Sequence, residues 1–137
     1  MTKAADLRLT GIHVLVVDDN EDALYVLRSY LEYHGACVLT ARSGADALAT
    51  LTQVRAHVIV SDLSMPGMTG IDFIRLVRAL PGEAESPTPA IAVTAFDDLA
   101  NRRQAQLTGF EAYLTKPVNP MTVVEEVERL HQKSQAS

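Results

Sequence analysis

Five short runs of mostly apolar residues, each breaking off near polar ones, alternate along this chain with stretches of helical periodicity. They cover 12–17 (IHVLVV), 36–40, 57–61 (HVIVS), 90–93 and 111–114. Between and after them, apolar residues recur at helical spacing, as in Ala23, Leu24, Val26, Leu27, Tyr30 and Leu31 within 21–34, with Gly35 placed as a C-cap. The other helices are expected after Ser43 as N-cap, through Ile71, Phe73, Ile74, Val77 and Leu80, over 97–108 closed by Gly109, and from Asn119 to about Gln132. Short strands that are apolar on both faces need cover on both sides. Their alternation with helices therefore predicts an α/β fold with a parallel sheet between helical layers.

A chain of 137 residues holds one such domain. The expected organisation is an N-terminal tail over 1–10, a single domain over 11–132 and a C-terminal tail over 133–137. The Pro-rich stretch 81–89 (PGEAESPTP) joins two steps of the same alternation and is expected to be a surface loop. Twelve Lys and Arg against seventeen Asp and Glu leave a net charge of −5, which argues against direct nucleic-acid or membrane-surface binding. The first ten residues lack the apolar core of a signal peptide, and no run is long enough to span a bilayer. With one cysteine, Cys37, set in an apolar run and expected to act as a small hydrophobe, a cytoplasmic location is expected.

In a parallel sheet of this kind, sites form beyond the carboxyl ends of the strands. Strand one ends in Asp18 and Asp19, strand three in Asp62, strand four in Thr94, and strand five in Thr115, Lys116 and Pro117. Three carboxylates, a hydroxyl and an ammonium thus converge on one edge. Close carboxylates repel one another unless a cation lies among them, and a hard ion such as Mg²⁺, which takes few protein carboxylates, suits the set. Lys116 offers a point charge, and Thr94 a hydrogen bond, to a tetrahedral anion. Taken singly, Asp18 and Asp19 read as helix caps and Lys116 as a solvated lysine; together at matching strand ends they read as a site. Asp62 is a poor cap, because the Met65, Pro66, Gly67 turn separates it from the next helix.

With VLVVDDNEDA at 14–23, VIVSDLSMPGMTG at 58–70, the Thr94–Ala95 pair and YLTKP at 113–117, the chain resembles the receiver domains of two-component response regulators. The resemblance spans 12 to about 130. It implies a flavodoxin-like, doubly wound, five-stranded parallel sheet of order 2-1-3-4-5 with five helices, in a signalling domain that catalyses only its own phosphorylation and dephosphorylation. It implies that Asp62 accepts a phosphoryl group from a sensor histidine kinase or a histidine phosphotransfer protein. Mg²⁺ would be held by Asp18, Asp19, Asp62 and the backbone carbonyl of Ser64. Lys116 and Thr94 would contact the phosphoryl oxygens, and Thr94 and Tyr113 would form the switch read out on the fourth helix, fifth strand and fifth helix. The Lys116–Pro117 bond would be cis. Ser64 and Phe96, two residues after the phosphoacceptor and the switch threonine, would border the path of attacking water and tune the lifetime of the phosphorylated form.

Other function classes fit less well. A phosphatase of the haloacid dehalogenase type needs an acid–base Asp where Ser64 stands, and flavin binding needs a phosphate loop where Asp18 and Asp19 would repel it. A phosphorylation-independent pseudo-receiver normally lacks one of the acidic or lysine positions, all of which are filled here. After Leu130 only HQKSQAS follows, so no output domain is expected within this chain. It reads as a stand-alone regulator or as the receiver portion of a hybrid histidine kinase, with a homodimer left open and the downstream protein target unread. His13, His34, His57 and His131 show no ligand spacing and are given no role, and Arg102 and Arg103 read as a solvated helix face.

Overall fold

The computed structural model describes residues 7–136. Strands β1 (His13–Val17), β2 (Cys37–Ala41), β3 (Val58–Ser61), β4 (Ala90–Thr94) and β5 (Ala112–Thr115) form one sheet in the order β2-β1-β3-β4-β5. Every neighbouring pair is parallel. Helices α1 (Glu21–Tyr33), α2 (Gly44–Leu51), α3 (Gly70–Arg78), α4 (Leu99–Thr108) and α5 (Pro120–Ala136) alternate with the strands, giving the doubly wound, flavodoxin-like α/β architecture.

Side chains that alternate across the pleat divide the core in two. Val14 and Val16, Val58 and Val60, and Ile91 and Val93 pack with Leu24, Leu27 and Leu31 of α1 and with Val123, Val124, Val127 and Leu130 of α5. Leu15 and Val17, Ile59, and Ala90 and Ala92 face the other way, toward Ala47 of α2, Phe73, Ile74 and Val77 of α3, and Ala105 of α4. The small Ala90 and Ala92 leave room for the fully buried Phe73 ring. This two-sided cover makes β1, β3 and β4 almost wholly buried, as their apolar runs require.

Edge strand β2 departs from the expectation. Cys37 is exposed rather than packed as a small hydrophobe, and Leu39 is exposed as well, because β2 has only β1 beside it. At the amino end, Leu9 is fully buried in the α1–α5 core and its N–H donates to the His34 carbonyl, within the segment read as a tail. Residues 1–6 of that segment lie outside the described residues. At the carboxyl end α5 runs to Ala136, past the end expected near Gln132. Among the described residues no helix is long and apolar enough to cross a membrane.

Candidate functional site

All five strands run the same way, so Asp18 and Asp19 after β1, Asp62 after β3, Thr94 ending β4 and Lys116 after β5 meet at one edge. Register fixes their heights: Val17 pairs with Ser61, Ser61 with Ala92, and Thr94 with Thr115. The Asp62 N–H donates to the Val17 carbonyl and the Lys116 N–H to the Thr94 carbonyl, extending the ladder into the site. Capping of α1 falls to Asn20, whose side chain accepts from the Ala23 N–H at 2.9 Å. Asp18 instead accepts from the Asn20 N–H and turns its second oxygen inward.

Lys116 bridges two of the carboxylates. Its Nζ lies 3.0 Å from Asp18 Oδ2 and 3.1 Å from Asp62 Oδ2. The Lys116–Pro117 peptide is cis. The other Asp62 oxygen accepts from the Ser64 N–H at 3.0 Å. Asp18 and Asp62 are buried and Asp19 is exposed, yet the three carboxylates each bring an oxygen within 4.8 Å of the others. That is a cluster of hard oxygen donors, open to solvent on one side, of the kind that suits a small divalent cation retaining some of its water.

Burial is the main cause that raises the Asp62 pKa above its usual value; the Ser64 N–H and the Lys116 ammonium work against it, and the Asp18 charge adds to it. For Lys116 burial alone would lower the pKa, but the Asp18 hydrogen bond and the two carboxylate charges outweigh it and the net shift is upward. Lys116 is therefore held charged next to a carboxylate whose ionised form is costly. A group placed there would meet one fixed positive charge and one buried carboxylate.

The remaining predicted residues flank this centre. Thr94 is fully buried and its hydroxyl accepts from the Phe96 N–H at 3.3 Å. Ser64 and Phe96 line one groove of about 380 Å³, together with Thr69, Asn101 and Gln104. Phe96 is 47% exposed. The half-buried Tyr113 donates its hydroxyl to the Phe96 carbonyl. The fold thus brings Lys116 into contact with Asp18 and Asp62 and an oxygen of Asp19 within 4.8 Å of theirs, while Ser64 bonds Asp62, Thr94 bonds Phe96, and Phe96 bonds Tyr113.

Two contributors escaped the sequence reading. Gly70, which opens α3, lets that helix start against the site: a Cβ there would fall 2.3 Å from the Asp62 carbonyl oxygen. Arg102, taken as part of a solvated face, has its guanidinium 4.6 Å from the centre of the Tyr113 ring. Glycine within the SMPGMTG run was a visible signal for the first. Nothing in the sequence marks the second, since the contact joins α4 to β5 across the fold.

The family model described as the response regulator receiver domain matches residues 14–128. This chain belongs to that family. Protein PilH of Pseudomonas aeruginosa is 36% identical over 115 residues, covering 83% of this chain and 93% of PilH. The chemotaxis response regulator CheY4 of Vibrio cholerae superposes with a TM-score of 0.80 at 32% identity, over 86% of this chain and 97% of the other. The receiver domain of Ssk1, solved with the histidine phosphotransfer signaling protein Ypd1 of Saccharomyces cerevisiae, belongs to a structure matched with a TM-score of 0.78 at 29% identity, over 87% and 88% of the two chains. As a receiver, the chain is a signalling domain of two-component systems.

Proposed function

We propose that this receiver is a phosphoacceptor, with Asp62 taking the phosphoryl group from the phosphohistidine of a sensor histidine kinase or a histidine phosphotransfer protein. The observation that carries this is the Asp62 carboxylate, buried at the strand edge with Lys116 Nζ at 3.1 Å and the Asp18–Asp19 pair beside it. A carboxylate oxygen attacks phosphorus in line, the O–P bond forms as the P–N bond to the imidazole breaks, and the imidazole leaves with the electron pair. Such a transfer depends on position and charge neutralisation more than on nucleophile strength. The Ser64 N–H fixes one Asp62 oxygen, and Lys116 neutralises charge on the arriving group.

The donor set fits Mg²⁺, which Asp18, Asp19, Asp62 and the Ser64 backbone carbonyl would hold. Bound there, it would supply positive charge opposite the phosphoryl oxygens and relieve the repulsion within the acidic cluster. Thr94 then turns its hydroxyl from the Phe96 N–H to a phosphoryl oxygen, and Tyr113 moves inward in response. The output face is α4, β5 and α5, the elements that carry Tyr113 and its surroundings. We read the domain, with Leu9 and the whole of α5 included, as one cytoplasmic receiver unit that acts on a protein target, without direct contact to nucleic acid, and that catalyses only its own phosphorylation and dephosphorylation. Phe96 offers no polar atom to orient water beside Asp62, so the phosphorylated form is expected to decay slowly.

Mass spectrometry after incubation with acetyl phosphate and Mg²⁺ tests the assignment. One added phosphoryl group is expected in the native protein and none in Asp62→Asn; labelling that persists in the variant refutes it. Acyl-phosphate decay in Phe96→Glu should be faster than in the native protein, and equal rates would remove Phe96 from the water path.

A further inference from the structure

We propose that the groove between α3 and α4 docks a short acidic amphipathic helix of a partner protein. The groove encloses about 570 Å³, and its walls include Arg75 and Arg78 on α3 and Ala100, Arg103, Gln104 and Leu107 on α4. The lining holds three guanidinium groups and no carboxylate. In a chain of net charge −5 this strip is of the opposite sign to the whole. The three arginines differ in what they are free to do. Arg78 is committed to Glu83 and to the Thr88 and Gly109 carbonyls. Arg75 meets Asp72 at 3.3 Å with both side chains more than half exposed, a pair that water screens and a competing carboxylate can replace. Arg103 makes no ion pair among the described residues.

Beside it, Leu107 is 80% exposed, more than any other large apolar side chain described, and Leu99 is 70% exposed. Residues 99, 103 and 107 are four apart, so the two leucines flank Arg103 along one stripe of α4. Ala105 is the one buried residue of that helix, so the stripe adds nothing to the core. An exposed leucine alone is ordinary. Two leucines around an unpaired guanidinium, above a groove without an acid, have the composition of an interface. Arginine takes a carboxylate in a bidentate fork, and leucine needs an apolar side chain to cover it, so the partner carries both on one face. A helix fits best, because two helices wall the groove and neither presents a free backbone edge to an extended strand. The ten residues of α4 span about 15 Å, which matches a helix of about three turns. Nucleic acid would satisfy the guanidiniums but leave both leucines uncovered, and the acidic remainder of the surface repels it.

The test is fluorescence anisotropy with the full chain and a fluorescein-labelled helical peptide of about three turns, its leucines on one face and flanked by glutamates. Binding in the submillimolar range is expected, weakened by about 0.5 M salt. Arg103→Glu should weaken it about fivefold, and Leu107→Ser about tenfold. Gln106→Ala, on the side of α4 that faces Arg102 and Tyr113, should bind as the native protein does. All three positions are exposed, and thermal melts establish that each variant is folded. No binding, native-like binding by either Arg103→Glu or Leu107→Ser, or an equal loss in Gln106→Ala overturns the proposal. Equal displacement by a single-stranded oligonucleotide of the same charge reduces the groove to a general anion trap and overturns it too. A dimer in sedimentation that Leu107→Ser dissolves assigns the groove to a second copy of the chain, with the same consequence. None of these variants touches Asp62, so the outcome is independent of the phosphoacceptor reading.

Discussion

An alanine at position 70 would set its Cβ 2.3 Å from the Asp62 carbonyl oxygen and 2.7 Å from the Leu63 Cα, both backbone atoms with no rotamer to yield. Gly70→Ala is expected to cost about 2 kcal/mol in urea unfolding, within the range for overpacked sites, and to weaken Mg²⁺ binding by displacing Asp62. A variant with native stability and native binding would show that the start of α3 moves freely. Asp62 poses the opposite case. Because burial raises its folded pKa, the stability associated with the group is full below the ordinary carboxylate value of 3.8 and is lost as pH rises through the raised folded value. At neutral pH the ionised carboxylate is thus a net cost, so Asp62→Asn should stabilise the metal-free protein by something on the order of 1 kcal/mol, with Asp18 still pairing Lys116. A lower melting temperature for the variant at neutral pH would mean that the Lys116 contact outweighs desolvation. Asp62 was legible in the sequence because a polar residue that stops an apolar strand has few structural explanations. Gly70 was visible only as one glycine of the SMPGMTG run, because its necessity lies in one close approach between two backbone segments.

Elements were legible where hydrophobic period and burial coincide, as in the fully covered β3 and β4 and the strongly amphipathic α3. They were less so at the edges, where β2 exposes Cys37 and Leu39 despite an apolar composition. The 81–89 loop between α3 and β4 shows what composition conceals. It read as a surface loop, and it is pinned by Arg78 at the end of α3, which donates to Glu83 Oε1 at 2.8 Å, to the Thr88 carbonyl at 2.8 Å and to the Gly109 carbonyl at 2.6 Å. Glu83 in turn accepts from the Thr88 hydroxyl and N–H. One guanidinium thus joins α3, this loop and the turn before β5. Arg78→Ala leaves Glu83 buried without its cation and two carbonyls without a donor, so a loss of about 3 kcal/mol is expected in chemical denaturation. Arg78→Lys should recover only part of it, because an ammonium cannot match the fork geometry. Equal stability of native and alanine proteins would show that water replaces all three contacts.

At the scale of the whole molecule the parallel sheet has two poles. The carboxyl ends hold the acidic site; the amino ends hold three imidazoles, His13 opening β1, His57 just before β3 and His131 on α5. They lie about 16 Å from the acidic pole, taking roughly 3.3 Å per residue along β1. Sequence spacing gave no hint of their meeting, since they come from three elements. The His57 ring stacks on His13 and meets His131 edge-on, each at 5.2 Å between centres. His57 Nδ1 accepts from the His13 N–H at 2.8 Å, so adding a second proton to His57 would break that bond. Burial first, then the charges of His131, His13 and Arg55, lower its pKa from the ordinary 6.5. A lowered folded value means that the unfolded chain takes up the proton first as pH falls below 6.5, so stability is full above that point and declines through the folded value. The melting temperature should therefore drop between pH 7.5 and 5.5. His57→Gln, which keeps a carbonyl oxygen for the His13 N–H but does not titrate, should flatten that drop while leaving beryllofluoride binding at the far pole unchanged at pH 7.5. Parallel melting profiles for the two proteins across this window would show that His57 titrates equally in the folded and unfolded chains.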